Sequence, residues 1–357
     1  MNIPNIRQLS QQLAAPQFDT PWEVVDWFGF MQAQEKSMIP WAVAMRTRRP
    51  SLAAYRQAYD QGQLIRTHLF RCTWQLTTAQ DLRWMVQLCA DSSRRAARGY
   101  LKQTGGTISE DEEKRANDLI AQVLQGRGSV TGKELKAMLT ERGLTDDAHT
   151  MSVYLRFAEY DGIICSGKYH PSQNTYALLD ERIPAQPAVT RDEALAMLAR
   201  KYFRSHAPAT LDDFVWWTGL SRGDCRAGIE SIKSELTEEH YRGVTYYLHA
   251  DSRTRGCRSR MILLPSFDEY LIGYKSRHHV LADEHRSNAH TNNGIFYPVI
   301  LDGGHVVGNW RPRNHEASFF EVATARDATA AFSRYDRFLN AKQHDSKFPL
   351  IEINSFN

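Results

Sequence analysis

Two primary amides stand two residues apart in an apolar run, Gln32 and Gln34 within Trp27-Phe28-Gly29-Phe30-Met31-Gln32-Ala33-Gln34. A primary amide both donates and accepts hydrogen bonds. Two of them at the edge of an apolar cleft could hold one water and aim it. Glutamine is neutral and is no strong base, so such a pair suits a reaction whose leaving group already departs readily. An isolated Gln-x-Gln is ordinarily solvated surface; the apolar setting and the rest of the chain separate this one from that reading. The spacing also constrains the backbone. Residues i and i+2 point apart on a helix. Convergence of the two amides therefore requires the chain to leave the helix at about Met31.

Basic residues follow the pair. Arg46, Arg48 and Arg49 lie a turn or so beyond it, and Arg66 and Arg71 flank the next β-like segment. Such groups bind phosphates without reading a base sequence. The bland readings are a solvated helix end for Arg48-Arg49 and salt bridges for Arg66 and Arg71. Arg253, Arg255, Arg258 and Arg260 form a denser run that reads as a solvated linker or a gripping loop. Trp216-Trp217 and Trp84 read as core packing. Trp27, Trp41 and Trp74 read as core or as the lining of a base pocket.

These residues must be held by several modules, since 357 residues are too many for one ordinary core. Apolar residues make up 42% and charged residues 24%, the balance of a globular protein. The net charge of +3 is small beside 44 basic and 41 acidic residues, so there is no global polycation. Basic residues outnumber acidic ones in the first 110 residues but not over 111–250. A localised anion-binding face fits that asymmetry. Five scattered cysteines form no C-x-x-C pair and sit at no zinc-ligand spacing, which argues against a disulfide framework or a metal site. No cofactor motif is present. The polar N-terminus and the absence of a long apolar run predict a reduced, cytoplasmic protein with no membrane partner.

The pattern of elements repeats. Thr20-Pro21 with Glu23 opens a helix whose apolar stripe is Trp22, Val25 and Phe28. Helices are expected through Trp41–Met45 and from Ser51 to Gly62, then strands over 64–70 and 73–77, then a helix from Asp81 towards Arg98. Helices near 111–125, 131–142 and 147–160 precede a hairpin over 163–179. A third set near 190–204, 210–218 and 221–235 precedes a strand over 244–248. Three helices and a β-hairpin make a winged helix-turn-helix. The expected architecture is therefore α+β, with three tandem winged units (1–105, 106–187, 188–257). A small C-terminal β-barrel (258–357) follows, with strands near 261–264, 297–301, 305–309 and 318–322 and a closing helix near 327–341.

The chain resembles the AlkZ-like winged-helix DNA glycosylases. The matching pieces are Met31-Gln32-Ala33-Gln34, Gly62-Gln63-Leu64-Ile65-Arg66-Thr67, and Arg71-Cys72-Thr73-Trp74 with Asp81 and Trp84. Further on come Tyr160-Asp161-Gly162-Ile163-Ile164-Cys165-Ser166-Gly167 and Leu211-Asp212-Asp213-Phe214-Val215-Trp216-Trp217-Thr218-Gly219-Leu220. Leu263-Leu264-Pro265-Ser266-Phe267-Asp268-Glu269-Tyr270 and Asn293-Gly294-Ile295-Phe296 complete the set. The resemblance implies tandem winged helices and a C-terminal barrel. It also implies excision of alkylated, mainly N7-substituted purines from double-stranded DNA, including crosslinks; a multi-module chain with its own cleft is expected to be a monomer, and the residue spacing predicts no metal. By the same resemblance Gln32 and Gln34 are the catalytic pair. Gln75 stands where relatives are expected to carry the His of a Thr-x-His, so the DNA-contacting position is occupied by a different group, a departure that bears on substrate range. A non-catalytic winged-helix DNA-binding protein, a regulator or an architectural factor, is the competing reading, and a protein-interaction scaffold a third. The apolar setting of the glutamines favours the enzyme.

Overall fold

The computed structural model describes residues 1–103, 105–257 and 260–341. Arg258 of the basic run and residues 342–357 of the C-terminal unit lie outside them. The helix Pro21–Phe28 begins with a full capping box, Thr20 Oγ1 accepting from the Glu23 N–H while the Glu23 carboxylate accepts from the Thr20 N–H. Gly29 ends it at φ +82°, a conformation that favours glycine. The space is as restrictive as the dihedral, because a Cβ at Gly29 would meet Lys201 Cδ at 2.8 Å. The chain then turns into a strand, β1 (Phe30–Gln32). After the helices Ile39–Ala44 and Leu52–Asp60 come β2 (Leu64–His68) and β3 (Trp74–Thr78). The three strands form an antiparallel sheet in the order β1-β3-β2, with β3 in the middle. The long helix Ala79–Gln103 leads out of this unit.

The second set holds helices Glu110–Leu124, Gly132–Glu141 and Ala148–Tyr160. Short strands at Val130–Thr131, Ile164–Cys165 and Thr175–Leu178 make its three-stranded sheet. The third set holds Arg191–Ser205, Leu211–Thr218 and Arg222–Ser231, then a hairpin of Leu236–Tyr241 with Val244–His249. The first strand of that hairpin is not legible in the sequence: Leu236-Thr237-Glu238-Glu239-His240-Tyr241 centres on two glutamates and is mostly exposed. No helix among the described residues is long and apolar enough to cross a membrane.

The C-terminal unit departs from expectation. Ile262–Leu264, Val299–Asp302, His305–Arg311 and Glu316–Phe319 form a four-stranded antiparallel sheet. Its two outer strands do not pair with each other, so among the described residues this is an open sheet and not a closed barrel. Four strands, the outer ones three and four residues long, are too few to wrap around. Helix Thr329–Asn340 covers one face instead, packing Phe332, Tyr335 and Phe338 near Trp310 and Trp41.

The N-terminus, polar in sequence, is a helix (Ile3–Ser10) with Arg7, Gln8 and Ser10 buried. Arg7 donates to the Pro208 carbonyl and sits over the Tyr274 ring at 3.6 Å. Just beyond the helix, Gln11 donates to the Glu269 carbonyl and accepts from Arg46. This segment therefore ties the first, third and C-terminal units together through buried polar contacts, each of which must be satisfied to avoid a desolvation cost.

Candidate functional site

The geometry at Gln32 follows from the switch out of the helix. Gln32 lies opposite Gln75 of β3, and the ladder runs one residue further, the Ala33 N–H donating to the Trp74 carbonyl at 2.9 Å. The strand ends at Gln32 and the chain bends at Gln34, yet both amides reach neighbouring residues of the facing segment. Gln32 exchanges long contacts with the Thr73 hydroxyl at 3.4 and 3.5 Å. Gln34 Oε1 accepts from the Trp74 N–H at 3.3 Å. Gln32 is buried and Gln34 exposed. Hydrogen bonds this long are weak, so both amides are readily surrendered to an incoming water or substrate.

Three groups fix the segment. Arg66 Nε donates to the Ala33 carbonyl at 2.9 Å, holding the residue between the two glutamines. Its guanidinium also bonds Asn174 and lies 3.9 Å from the centre of the Trp74 ring. His68, two residues on along β2, packs on the same ring at 3.8 Å and binds Glu159 at 2.5 Å through Nδ1. From the C-terminal unit, Glu269 Oε1 accepts the Gln32 N–H at 2.5 Å. Just past the pair, Lys36 donates to the Gln173 carbonyl. Partial burial, with the Arg66 charge adding to it, lowers its ammonium to about 8.

Several expected phosphate contacts have other roles. Arg46 is completely buried. Its five N–H donors go to Asp268 (2.8 and 2.9 Å), the Ala42 carbonyl, and the Gln11 carbonyl and amide oxygen. It cannot reach DNA. Arg66 is also buried and positions Ala33, so neither is it a surface phosphate contact. Gln75 is fully buried: its amide brackets Phe70, accepting from that residue's N–H and donating to its carbonyl, both at 3.1 Å. It shapes the loop that presents Thr73 rather than touching a lesion. These three corrections share one cause, since a sequence does not say which polar residues a core will enclose.

Arg48 and Arg49 face outward. Arg48 is exposed and pairs with Asp19 at 2.6 Å. Arg48 and Arg49 line a groove of about 500 Å³ with Pro50, Arg334, Arg337, Asn340 and Ala341. Arg49, Arg334 and Arg337 have no carboxylate partner among the described residues. Burial, with Arg260 and Arg337 nearby, lowers the Arg334 guanidinium to about 10. Arg71, half-buried in the loop between β2 and β3, lies near Trp216 of the third unit.

A family model described as DNA glycosylase AlkZ-like matches residues 25–339. The chain belongs to the AlkZ-like DNA glycosylase family. A relative in Streptomyces sahachiroi, named an interstrand DNA cross-link repair glycosylase, is 26% identical over 296 residues, covering 78% of this chain and 79% of the relative. The solved structure of Streptomyces sahachiroi DNA glycosylase AlkZ matches with a TM-score of 0.78 and 22% identity over 95% of both chains, a likeness of fold. The match to the AlkZ-like family spans the glutamine segment, all three helix-and-sheet sets and the C-terminal sheet.

Within this AlkZ-like frame, three residues gain roles that sequence reading did not assign. Thr73 meets the Gln32 amide, Glu269 meets the Gln32 backbone, and Trp216 is 40% exposed while its neighbour Trp217 is fully buried. For Glu269 a signal existed: Asp268-Glu269 is a doubly acidic pair between Leu263-Leu264 and Leu271-Ile272. An apolar setting should have marked these carboxylates as it marked the glutamines.

Proposed function

We propose that this protein is a monofunctional DNA glycosylase that excises N7-alkylated purines from double-stranded DNA, crosslinked adducts included, by attack of a water held between Gln32 and Gln34. The observation that supports the reading is that the two amides meet adjacent residues at the start of β3, Gln32 at the Thr73 hydroxyl and Gln34 at the Trp74 N–H. The name of the Streptomyces sahachiroi relative supports the extension to crosslinks.

An N7-alkylated purine is cationic, so its glycosidic bond is already primed to break. The C1′–N9 bond cleaves with its electron pair passing to the purine, which leaves neutral. The water oxygen bonds C1′ and releases a proton to solvent. What the enzyme supplies is geometry and partial negative charge near a developing oxocarbenium ion. The amide oxygens of Gln32 and Gln34 accept from the water and orient it, while Glu269, Arg66 and Thr73 keep the amides in register. Neutral amides restrict the reaction to labile, cationic lesions.

The three helix-and-sheet sets act as winged helices that grip the duplex backbone, with Arg48, Arg49 and Arg71 among the phosphate contacts, and the protein works as a monomer. The test is release of free 7-methylguanine from a duplex carrying that base at one position, with an alkali-labile abasic strand as the second product. Borohydride should trap no covalent enzyme–DNA adduct. A trapped adduct would replace water attack with an amine nucleophile; failure to release the base from this duplex or from a crosslinked one would remove the glycosylase reading.

A further inference from the structure

Trp216 stands on the outer side of Leu211–Thr218, with its indole N–H fixed on the Ile272 carbonyl at 2.9 Å and 40% of its surface open. Two guanidiniums from different units flank it. Arg71, in the β2–β3 loop, places its central carbon 5.8 Å from the ring centre, and Arg277 of the C-terminal unit lies at 5.4 Å. The backbone is strained to bring Arg71 there. Arg71 and Cys72 both take positive φ (+58° and +56°), which costs a non-glycine residue on the order of 1 kcal/mol or more. Gly219, at φ +68°, leaves room for it: a Cβ there would lie 2.6 Å from Arg71 Cγ.

Neither cation is neutralised. Arg71 Nε and Arg277 Nη2 are buried without a hydrogen-bond partner. Neither side chain forms an ion pair among the described residues. Burial lowers both guanidiniums, that of Arg277 to about 10; Glu269 opposes the shift at Arg71 and Asp213 at Arg277, both from beyond ion-pair distance. Arg277 donates through Nε to the Leu271 carbonyl at 2.7 Å, but no carboxylate at ion-pair distance balances either charge among the described residues, and an arriving anion would do so. An open indole beside two such cations has the chemistry of a nucleotide site: stacking for a base and charge for its phosphate. Arg71 is two residues from Thr73, so the site adjoins the glutamine pair.

We propose that Trp216, Arg71 and Arg277 form a nucleotide-binding subsite in which the indole stacks on a base of the bound duplex and the guanidiniums hold a flanking phosphate. This rests on the protein acting on DNA and extends its contact surface to the third and C-terminal units. The probe is a short fluorescein-labelled duplex with a central tetrahydrofuran abasic analogue, bound to the full chain and followed by anisotropy across a salt series. Trp216→Ala should weaken binding at least about fivefold at unchanged salt slope, whereas Trp216→Phe should stay within about twofold of wild type. Arg277→Gln should lower the salt slope by about one. Thermal melting of each variant separates these effects from misfolding, and if Trp216→Ala does not fold, Trp216→Phe and Arg277→Gln decide. Native melting with affinity within about twofold in Trp216→Ala, or an unchanged slope in Arg277→Gln, overturns the subsite. Absence of duplex binding by wild-type protein would instead overturn the DNA reading itself, and the subsite with it.

Discussion

Glu269 Oε1 lies 2.5 Å from the backbone nitrogen of Gln32, so a carboxylate from the C-terminal unit sets the position of a strand near the other end of the sequence. The same carboxylate accepts from the Trp217 indole at 3.1 Å and meets His206 Nε2 at 3.3 Å. Residues of the first, third and C-terminal units thus meet at one buried group. Glu269→Ala should destabilise the protein by about 1–3 kcal/mol, because it orphans buried donors. It should also slow base excision in the fraction that remains folded. Urea unfolding beside single-turnover excision checks both; native excision rates in a destabilised variant would show that Glu269 holds the fold and not the motif.

Arg46 tests the correction to the surface-arginine reading. Its guanidinium spans Asp268 and Gln11 in full burial. Arg46→Ala leaves Asp268 as an uncompensated buried charge and should cost about 3–5 kcal/mol. Protein that still folds should bind DNA with the wild-type salt dependence. A stable variant with weakened DNA binding would return Arg46 to the interface.

The groove of Arg48, Arg49, Arg334 and Arg337 makes the opposite prediction. Arg48, Arg49 and Arg337 are open to solvent, so stability should change by no more than about 0.5 kcal/mol on their substitution; Arg334 is partly buried and donates to the Met45 carbonyl at 2.9 Å, so its substitution should cost about 1 kcal/mol. Each of Arg49→Gln, Arg334→Gln and Arg337→Gln should lower the slope of log affinity against log salt by about one. Arg48→Gln should do less, because Asp19 already shares its charge. Affinity measured from low to physiological salt decides; slopes indistinguishable from wild type would exclude the groove from the DNA path.

His206 sets a pH dependence of stability. Burial is the main cause that holds its imidazole below the ordinary value; Arg46 and Arg7 oppose the charged form as well, and Glu269 favours it. As pH falls through about 6.5, the unfolded chain takes up a proton before the native protein does. Stability from this group is therefore complete above about pH 6.5 and is lost on acidification below it. Unfolding free energies measured between neutral pH and about pH 5 should fall less steeply in His206→Asn than in wild type. Equal slopes would contradict the assignment.

Much of the plan was legible because helix signals are local. Thr20-Pro21 with Glu23 announces a capping box, and the helix at Pro21–Phe28 begins there. Leu64–His68 and Trp74–Thr78 show β-formers in short runs. β1 was not legible as a strand: three residues carry little periodicity, and its place is set by pairing with β3 from more than forty residues away. That pairing, followed by the bend at Gln34, replaces the helical geometry that would set the two glutamines apart and brings them to neighbouring residues, Thr73 and Trp74. The buried fates of Arg46, Arg66 and Gln75, and the exposure of Trp216, are products of tertiary packing. A charged residue next to a predicted cleft reads the same whether its partner is a phosphate or an aspartate brought from 222 positions further along, as with Arg46 and Asp268.

The most direct test of the water-positioning pair is single-turnover release of 7-methylguanine from a duplex of defined sequence, at saturating enzyme, by wild type, Gln32→Ala and Gln34→Ala. Gln34 is exposed, so its substitution should leave the fold intact and it is the sharper probe. The rate should drop by about a hundredfold or more in either variant, with duplex affinity within about twofold of wild type. Excision at the wild-type rate by Gln34→Ala, with the same affinity, would contradict the assignment of the reaction to this pair.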